Sequence, residues 1–483
     1  MRTEHAGENL AALGPRHWAR VEGWGMAVSA LGYLHQPESI DELRALFALA
    51  RESATPVTLR GGGRSYGDAA IGEGCLVADV SRMNRILSWD KETGIVETEP
   101  GVTIEQLWKR IIPDGWWPSV VSGTMFTTMA GCAAMNIHGK NNYRAGTFGD
   151  NVLEFDLLLP NGDIVTCNRE QNADLFHGAI GGFGMLGCFT RLKLKAKKVH
   201  SGFLRVEAFN TRSIPHMIEE FEERVEDADY LVGWIDCIAG GRGLGRGTVH
   251  SANYLPPGED PNPRESQVLS VQELPNAIMG VPKSLMWWPL SYFTNNLGMR
   301  AINTAKYHAG NIIPRGAMHL QAHAAFAFLL DYVPNWKWSY RPTGLIQYQS
   351  FIPAETAAGA FEKLLRLSQK AGLPSYLGVF KKHRPDPFLM THALDGYSLA
   401  LDFRVTPRNR AALWNLCHRM DDVVLDAGGR FYFAKDATLR PHVVEQYIPA
   451  DNLRAFIELK HRCDPHGLLQ TDLSRRLFGE QFA

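Results

Sequence analysis

A chain of 483 residues exceeds what one hydrophobic core ordinarily supports, so at least two domains are expected. Its 50 Lys and Arg residues balance 51 Asp and Glu, which excludes the broad positive field of a nucleic-acid-binding protein. An apolar fraction of 45% with 21% charged residues is that of a soluble globular chain and excludes extended disorder. The seven cysteines are scattered and form no C-x-x-C pair, which argues against a zinc site or a disulfide framework and for a reducing compartment. The first 20 residues lack the apolar run of a signal peptide, and no stretch of about 20 apolar residues offers a membrane span. A cytoplasmic protein is the expectation.

From the N-terminus, Thr55 to Arg60 alternates as a strand and runs into a glycine cluster. Cys75 to Val80 and Gly94 to Glu99 are further strands. Thr103 with Gln106 predicts a capping box that opens a helix carrying Leu107 and Trp108. Phe155 to Leu159, the turn Asn161-Gly162 and Ile164 to Thr166 predict a hairpin. A helix over Ala173 to Ile180 precedes a strand over Cys188 to Leu194. Beyond residue 200 the glycine density falls, with helices over Ser213 to Val225 and Ala357 to Ala371 and strands over Leu345 to Ile352 and Tyr397 to Val405. The cluster Ala277 to Met299, rich in Trp, Tyr and Phe, reads either as buried core or as a membrane-interface contact. A Gly-Gly strand signal over Gly428 to Lys435 and a helix over Asn452 to Cys463 end the chain.

Three glycine-rich patches fall in the first part. Arg60-Gly61-Gly62-Gly63-Arg64-Ser65-Tyr66-Gly67-Asp68 follows a strand, and its glycines let backbone N–H groups approach an anion. It lacks the Gly-Lys-Ser/Thr ending of a Walker loop, and a plain turn is the alternative. Ser122-Gly123-Thr124 and the run Gly131 to Gly149 pack small residues densely enough for backbone to lie against a ligand. Gly182 to Gly187 matches G-x-G-x-x-G, but a helix precedes it and a strand follows, the reverse of a nicotinamide-dinucleotide fingerprint.

In order and spacing these patches resemble the FAD-binding domain of the vanillyl-alcohol-oxidase-like flavoproteins. The strings RGGGRSYGD, NIHGKN, AGTFG, IQYQSFIP, VFK and GGRFYFAKD, with Trp234-Ile235-Asp236, resemble its decaprenylphosphoryl-ribose oxidase branch over about Gly23 to Leu477. The resemblance implies an α+β, two-domain PCMH-type fold. Residues 1–200 would open the FAD-binding domain, 201–427 would form a substrate domain on an antiparallel sheet, and 428–483 would return to the first domain. It implies FAD held by Arg60, Gly61, Gly63, Arg64, Ser65 and Tyr66 at the diphosphate, and by Gly123, Thr124, Thr128, Gly131, Cys132, Asn136, Ile137, His138, Gly139 and Tyr432 elsewhere. Arg64 stands where covalent members carry a histidine, so non-covalent FAD is expected.

By the same matching, Lys435, His138 and Tyr432 are the catalytic candidates. Tyr66, Trp234, Gln347, Gln349, Lys381, Ser398 and Lys435 are the substrate-binding candidates, and no metal is implied because the flavin is the electron sink. Ser398-Leu399-Ala400 replaces the family pattern Asn-x-Cys, so the pocket cysteine is absent and thiol-directed inhibitors should not bond here. The activity implied is oxidation of the 2-hydroxyl of a polyprenylphosphoryl pentofuranose, the first half of a ribose-to-arabinose epimerisation feeding cell-envelope polysaccharide. An NAD(P)H-dependent short-chain reductase would complete it, and a lipid substrate implies peripheral contact with the inner face of the plasma membrane. Oxidation of a free sugar, alditol or aldonolactone is the alternative, and a flavin-binding redox partner without turnover is a further one.

Overall fold

Three sheets position the interior of the molecule, whose computed structural model describes residues 17–278, 280–312 and 314–482. The first holds β1 (Trp18–Glu22), β2 (Ser29–His35), β3 (Val57–Arg60) and β4 (Leu76–Asp79) in the order β1-β2-β4-β3. The β2–β4 and β3–β4 pairs are parallel, and Leu76, Val77 and Ala78 of β4 are wholly buried, the continuous apolar run of a covered parallel strand. Helix Ile40–Glu52 links β2 to β3, with Ser39 as its N-cap and Leu43, Leu46, Phe47 and Ala50 buried.

The second sheet is antiparallel throughout. It contains β5 (Ile86–Asp90), β6 (Ile95–Thr98), β7 (Trp116–Pro118), β8 (Val152–Leu158), β9 (Ile164–Asn168) and β10 (Cys188–Lys198) in the order β5-β6-β10-β8-β9, with β7 also on β10. The β8–β9 hairpin turns at Gly162, whose φ of 99° lies in the left-handed region. Both arms of the Thr103–Gln106 capping box are present at helix Ile104–Ile111.

The third sheet has eight strands, all antiparallel to their neighbours. Its first strands are β11 (Phe203–Thr211), β12 (Tyr230–Ile235) and β13 (Gly247–Tyr254), which precede a short ribbon of β14 (Ala277–Ile278) and β15 (Val281–Pro282). The remaining strands are β16 (Met318–Ala322), β17 (Leu345–Pro353), β18 (Gly378–His383), β19 (Gly396–Arg404) and β20 (Arg430–Phe431), giving the order β16-β11-β13-β12-β18-β19-β17-β20. Strand alternation divides the side chains. Ile346, Tyr348 and Ile352 of β17, Phe380 of β18 and Leu399, Leu401 and Phe403 of β19 join the core with helices Ile214–Glu222, Ala354–Lys370 and Arg410–Asp426. Gln347, Gln349, Lys381, Ala400 and Trp234 turn the other way, into a central cavity. The architecture is α+β.

The C-terminal segment packs on the first sheet. Leu468 O accepts from Val57 N at 2.7 Å, Gln470 N donates to Val57 O at 2.9 Å, and Phe183 packs against Phe433, Phe456 and Phe478. The strand expected over Gly428 to Lys435 is realised only at Arg430–Phe431. The chain then turns, because Ala434 O is taken by Tyr66 N at 2.9 Å and the Asp436 carboxylate accepts from Thr438 N and Leu439 N at 2.8 and 2.9 Å. The core alternative for the aromatic cluster does not hold. No residue of helix Trp287–Phe293 is buried, and Trp288 and Tyr292 are 58% and 67% exposed.

Candidate active site

A cavity of about 700 Å³ lies between the first two sheets and the third. One wall is backbone. Gly61, Gly62 and Gly63 extend from β3 over helix Met129–Ala134, so closely that a Cβ on Gly61 would stand 2.2 Å from Thr128 Oγ1. Gly63 has φ 61°, and its missing Cβ leaves room for the Arg60 guanidinium, which donates to Ala70 O and Glu22 O at 3.0 and 3.1 Å. The N–H groups of Gly63, Arg64 and Ser65 donate to no protein acceptor among the described residues, and buried Arg64 Nε is likewise unpartnered. Such a nest of converging donors beside two guanidinium groups suits a diphosphate. Gly123, Thr124, Gly131, Ile137, Gly184 and Gly187 continue the same wall.

The opposite wall is made of side chains from the third sheet. Gln347 Nε2 donates to Asp402 Oδ1 at 2.5 Å, while Asp402 Oδ2 is buried without a partner, and burial pushes this carboxyl up to about 7. The Gln349 amide meets His138 Nε2 at 3.1 Å and Ser398 Oγ at 3.4 Å. Burial and the charge of Lys381 keep His138 well below its ordinary pKa, so its ring is neutral. His383, His392, Phe351 and Tyr432 surround it with centroids 4.9, 5.4, 5.4 and 5.3 Å away.

The two walls meet at Lys435. Its Nζ lies 3.8 Å from the centroid of the Tyr66 ring, and burial, opposed by Asp402 and reinforced by Lys381, lowers it to about 7. Arg476 fixes this junction. It makes two bonds of 2.8 Å to Asp68, at the end of the glycine loop, and one of 2.8 Å to Asp436, next to Lys435. Distant parts of the sequence thus share one partly buried guanidinium.

Most residues singled out from sequence line the cavity: Arg60, Gly61, Gly63, Arg64, Ser65, Tyr66, Gly123, Thr124, Thr128, Gly131, Ile137, His138, Trp234, Gln347, Gln349, Lys381, Tyr432 and Lys435. Four do not. Cys132 is wholly buried in the core behind the wall, and Asn136 links Asp386 Oδ2 to Gly149 N at 2.8 and 2.9 Å. Gly139 is packed so that a Cβ would meet Asn141 Oδ1 at 2.5 Å, and Ser398 Oγ is bonded to His383 Nε2 at 2.8 Å behind Gln349. Several lining residues were not foreseen. Asp331 accepts from Thr124 Oγ1 and Met125 N, both at 2.8 Å, and is pushed up to about 6 by burial. Lys140, His250, Lys306 and Trp336 also face the cavity. Lys140 stood within the NIHGKN string, whereas the others carry no local motif.

Residues 32–168, which include the whole of the backbone wall up to Gly149, match the family description of an FAD binding domain. Residues 32–168 are an FAD-binding domain of the PCMH type, and the cofactor of this flavoprotein is FAD. The flavoprotein is 29% identical to decaprenylphosphoryl-β-D-ribose oxidase of Mycolicibacterium smegmatis over 476 residues, 96% of this chain and 98% of that protein. It is 29% identical to L-gulonolactone oxidase of Bos taurus over 216 residues, 45% of this chain and 47% of that protein. A putative D-arabinono-1,4-lactone oxidase of Neurospora crassa is 29% identical over 174 residues, 36% of this chain and 31% of that protein. The flavoprotein is therefore an FAD-dependent oxidoreductase.

Proposed function

We propose that the flavoprotein oxidises the 2-hydroxyl of a polyprenylphosphoryl pentofuranose to the keto sugar, the first half of a ribose-to-arabinose epimerisation. The observation that carries this reading is Lys435 stacked over Tyr66 and facing a wall of amides and lysines, a polar lining suited to a hydroxylated, anionic ligand. Similarity to a decaprenylphosphoryl-ribose oxidase along nearly the full length of both chains supports the substrate class. FAD, held without a covalent bond, would rest on the Gly61–Tyr66 loop and the Gly123–Ile137 wall. When bound, it supplies the two-electron acceptor for the alcohol.

The remaining work falls to this chain's side chains. Gln347, Gln349 and Trp234 hold the sugar ring between amides and an indole face. Lys435 Nζ, poised near neutrality, takes the hydroxyl proton, and Asp402 raises its basicity. His138 stays neutral and, with Tyr432, closes the cavity floor against water. An NAD(P)H-dependent short-chain reductase would complete the inversion on the keto product. Exposed Trp288, Tyr292, Phe293 and Leu297 offer an apolar surface for peripheral contact with the membrane that carries the lipid substrate.

A second reading, oxidation of an aldonolactone or free sugar, is favoured by the partial similarity to L-gulonolactone oxidase and by small Ala400 in the pocket. Anaerobic mixing of the FAD-loaded protein with a farnesylphosphoryl ribofuranoside separates the two. Bleaching of the flavin band by this ligand and not by L-gulonolactone is expected, and the opposite pattern would replace the first reading with the second.

A further inference from the structure

Away from Lys435, the third sheet carries a second group of cations. On β12, Val232 and Trp234 face the cavity, and β13 sets His250 opposite Val232 on the same face. Lys140 is brought here because Lys140 O accepts from Leu231 N at 3.0 Å, and its Nζ lies 4.3 Å from the Phe326 ring centroid and donates to Phe326 O. Lys306 arrives from helix Asn296–Gly310, with Nζ 4.1 Å from the Trp234 ring centroid.

That helix is fastened to the sheet around Lys306. Buried Asn303, one turn earlier, donates to Asp236 Oδ1 at 3.3 Å. Arg246 bridges Asp236 Oδ2 at 2.8 Å and Thr304 Oγ1 at 3.2 Å, and Asn210 Nδ2 donates to Tyr307 O at 2.6 Å. Lys306 thus lines the cavity from an exposed position on a tethered helix, with its ammonium set over the Trp234 ring.

These cations have no counter-charge. Among the described residues, the lysines paired with carboxylates are Lys109, Lys193, Lys382 and Lys460, whereas Lys140, Lys306 and Lys381 have no such partner. Asp236 is already neutralised by Arg246 at 2.8 Å. Burial lowers Lys140 to about 7 and Lys306 to about 8, and the charge of Lys381 acts on Lys140 as well as on Lys435. His250 is held down to about 4 by burial, Lys140 and Lys306, so it adds a neutral hydrogen-bonding ring. Converging cations in a pocket are stabilised when an anion completes them.

We propose that Lys140 and Lys306, with Trp234 and His250 between them, form an anion subsite that receives the phosphoryl group of the substrate. This deepens the reading above and rests on it for the sugar. Lys381 stands between the subsite and Lys435, so one ligand would offer its hydroxyl at one end and its phosphoryl group at the other. The phosphoryl group is recognised whether it belongs to a lipid phosphodiester or to a soluble sugar phosphate.

The test is an anaerobic titration of the full FAD-loaded chain, read from the flavin difference spectrum, with a farnesylphosphoryl ribofuranoside, ribose 1-phosphate and methyl ribofuranoside. The wild type should bind phosphorylated ligands at least roughly tenfold more tightly than the neutral glycoside. Lys306→Met should remove that advantage and leave the neutral glycoside unchanged, and Lys306→Arg should restore it. Binding of the farnesyl diester alone assigns the subsite to a lipid-linked phosphate, and binding of both phosphorylated ligands assigns it to phosphoryl groups generally. Equal affinity of the wild type for charged and neutral ligands, or equal loss of both in Lys306→Met, overturns the subsite. Failure of the oxidation reading has a different signature, a flavin band that shifts on binding and never bleaches.

Discussion

The two walls of the cavity are built on opposite principles. The first is backbone over two short stretches of chain, Gly61 to Tyr66 and Gly123 to Ile137, where glycines and other small residues set the shape. The second is side chains from β12, β13, β17, β18 and β19, one to three per strand, on a sheet whose other face is apolar core. A backbone surface is written in short motifs, while a sheet surface is assembled from residues far apart in sequence. A flat, phosphorylated cofactor suits the first, and a substrate recognised by individual hydrogen bonds and charges suits the second.

The largest effect should come from breaking the junction between the walls. Arg476→Ala leaves Asp68 and Asp436 buried beside each other without their cation, and a loss of about 3–5 kcal/mol is expected in urea unfolding. Next is Lys435→Met, which should keep the flavin and slow its anaerobic reduction by substrate by roughly 10²–10³-fold. On the backbone wall, Gly61→Ala should do the reverse. Its Cβ would lie 2.2 Å from Thr128 Oγ1, so displacement of the loop should weaken FAD retention by roughly 1–3 kcal/mol, read as the flavin-to-protein absorbance ratio.

Acidity should separate the walls without any mutation. Lys140 and Lys435, near 7, and Lys306 and Lys381, near 8, are charged below these values and lose charge above them. Affinity for a phosphorylated ligand should therefore be greatest below pH 7 and fall through pH 8 to 9. FAD retention should not follow, because the arginines of its wall stay protonated across that range. The smallest effect concerns thiol reagents. Cys188 lines the cavity, but burial pushes its thiol up to about 12 and leaves it unreactive, so labelling in the pocket should appear only in Ala400→Cys.

The contrast between the walls also governs how much was legible in sequence. The glycine loops, the Thr103 capping box and the β8–β9 hairpin are local devices, and each lies where its residues put it. Lys435, Gln347, Gln349 and Lys381 were reachable only through family strings, because a lone lysine or glutamine on a strand has no signature of its own. Lys306 and Asp331 escaped altogether. Each belongs to a segment whose pattern reads as ordinary helix or turn, and each gains meaning only from a partner across the cavity, Trp234 for one and Thr124 for the other. Asn136 and Ser398 sit in quoted strings, yet the fold uses them one layer behind the surface, to hold a loop and to orient Gln349.

The Arg476 clamp also has a consequence in time. Asp68 and Arg476 are 408 residues apart in sequence, and β3 is completed at its edge by Leu468 and Gln470. At ordinary ribosomal rates the glycine loop emerges about 20–80 s before the residue that anchors it. The first sheet therefore remains provisional for most of synthesis, and Tyr66 meets Lys435 only when the chain is nearly finished. Stable flavin loading is expected late in the life of the nascent chain, because a ribosome stalled before residue 468 would display a cofactor loop backed by helix Met129–Ala134 but lacking its Arg476 anchor.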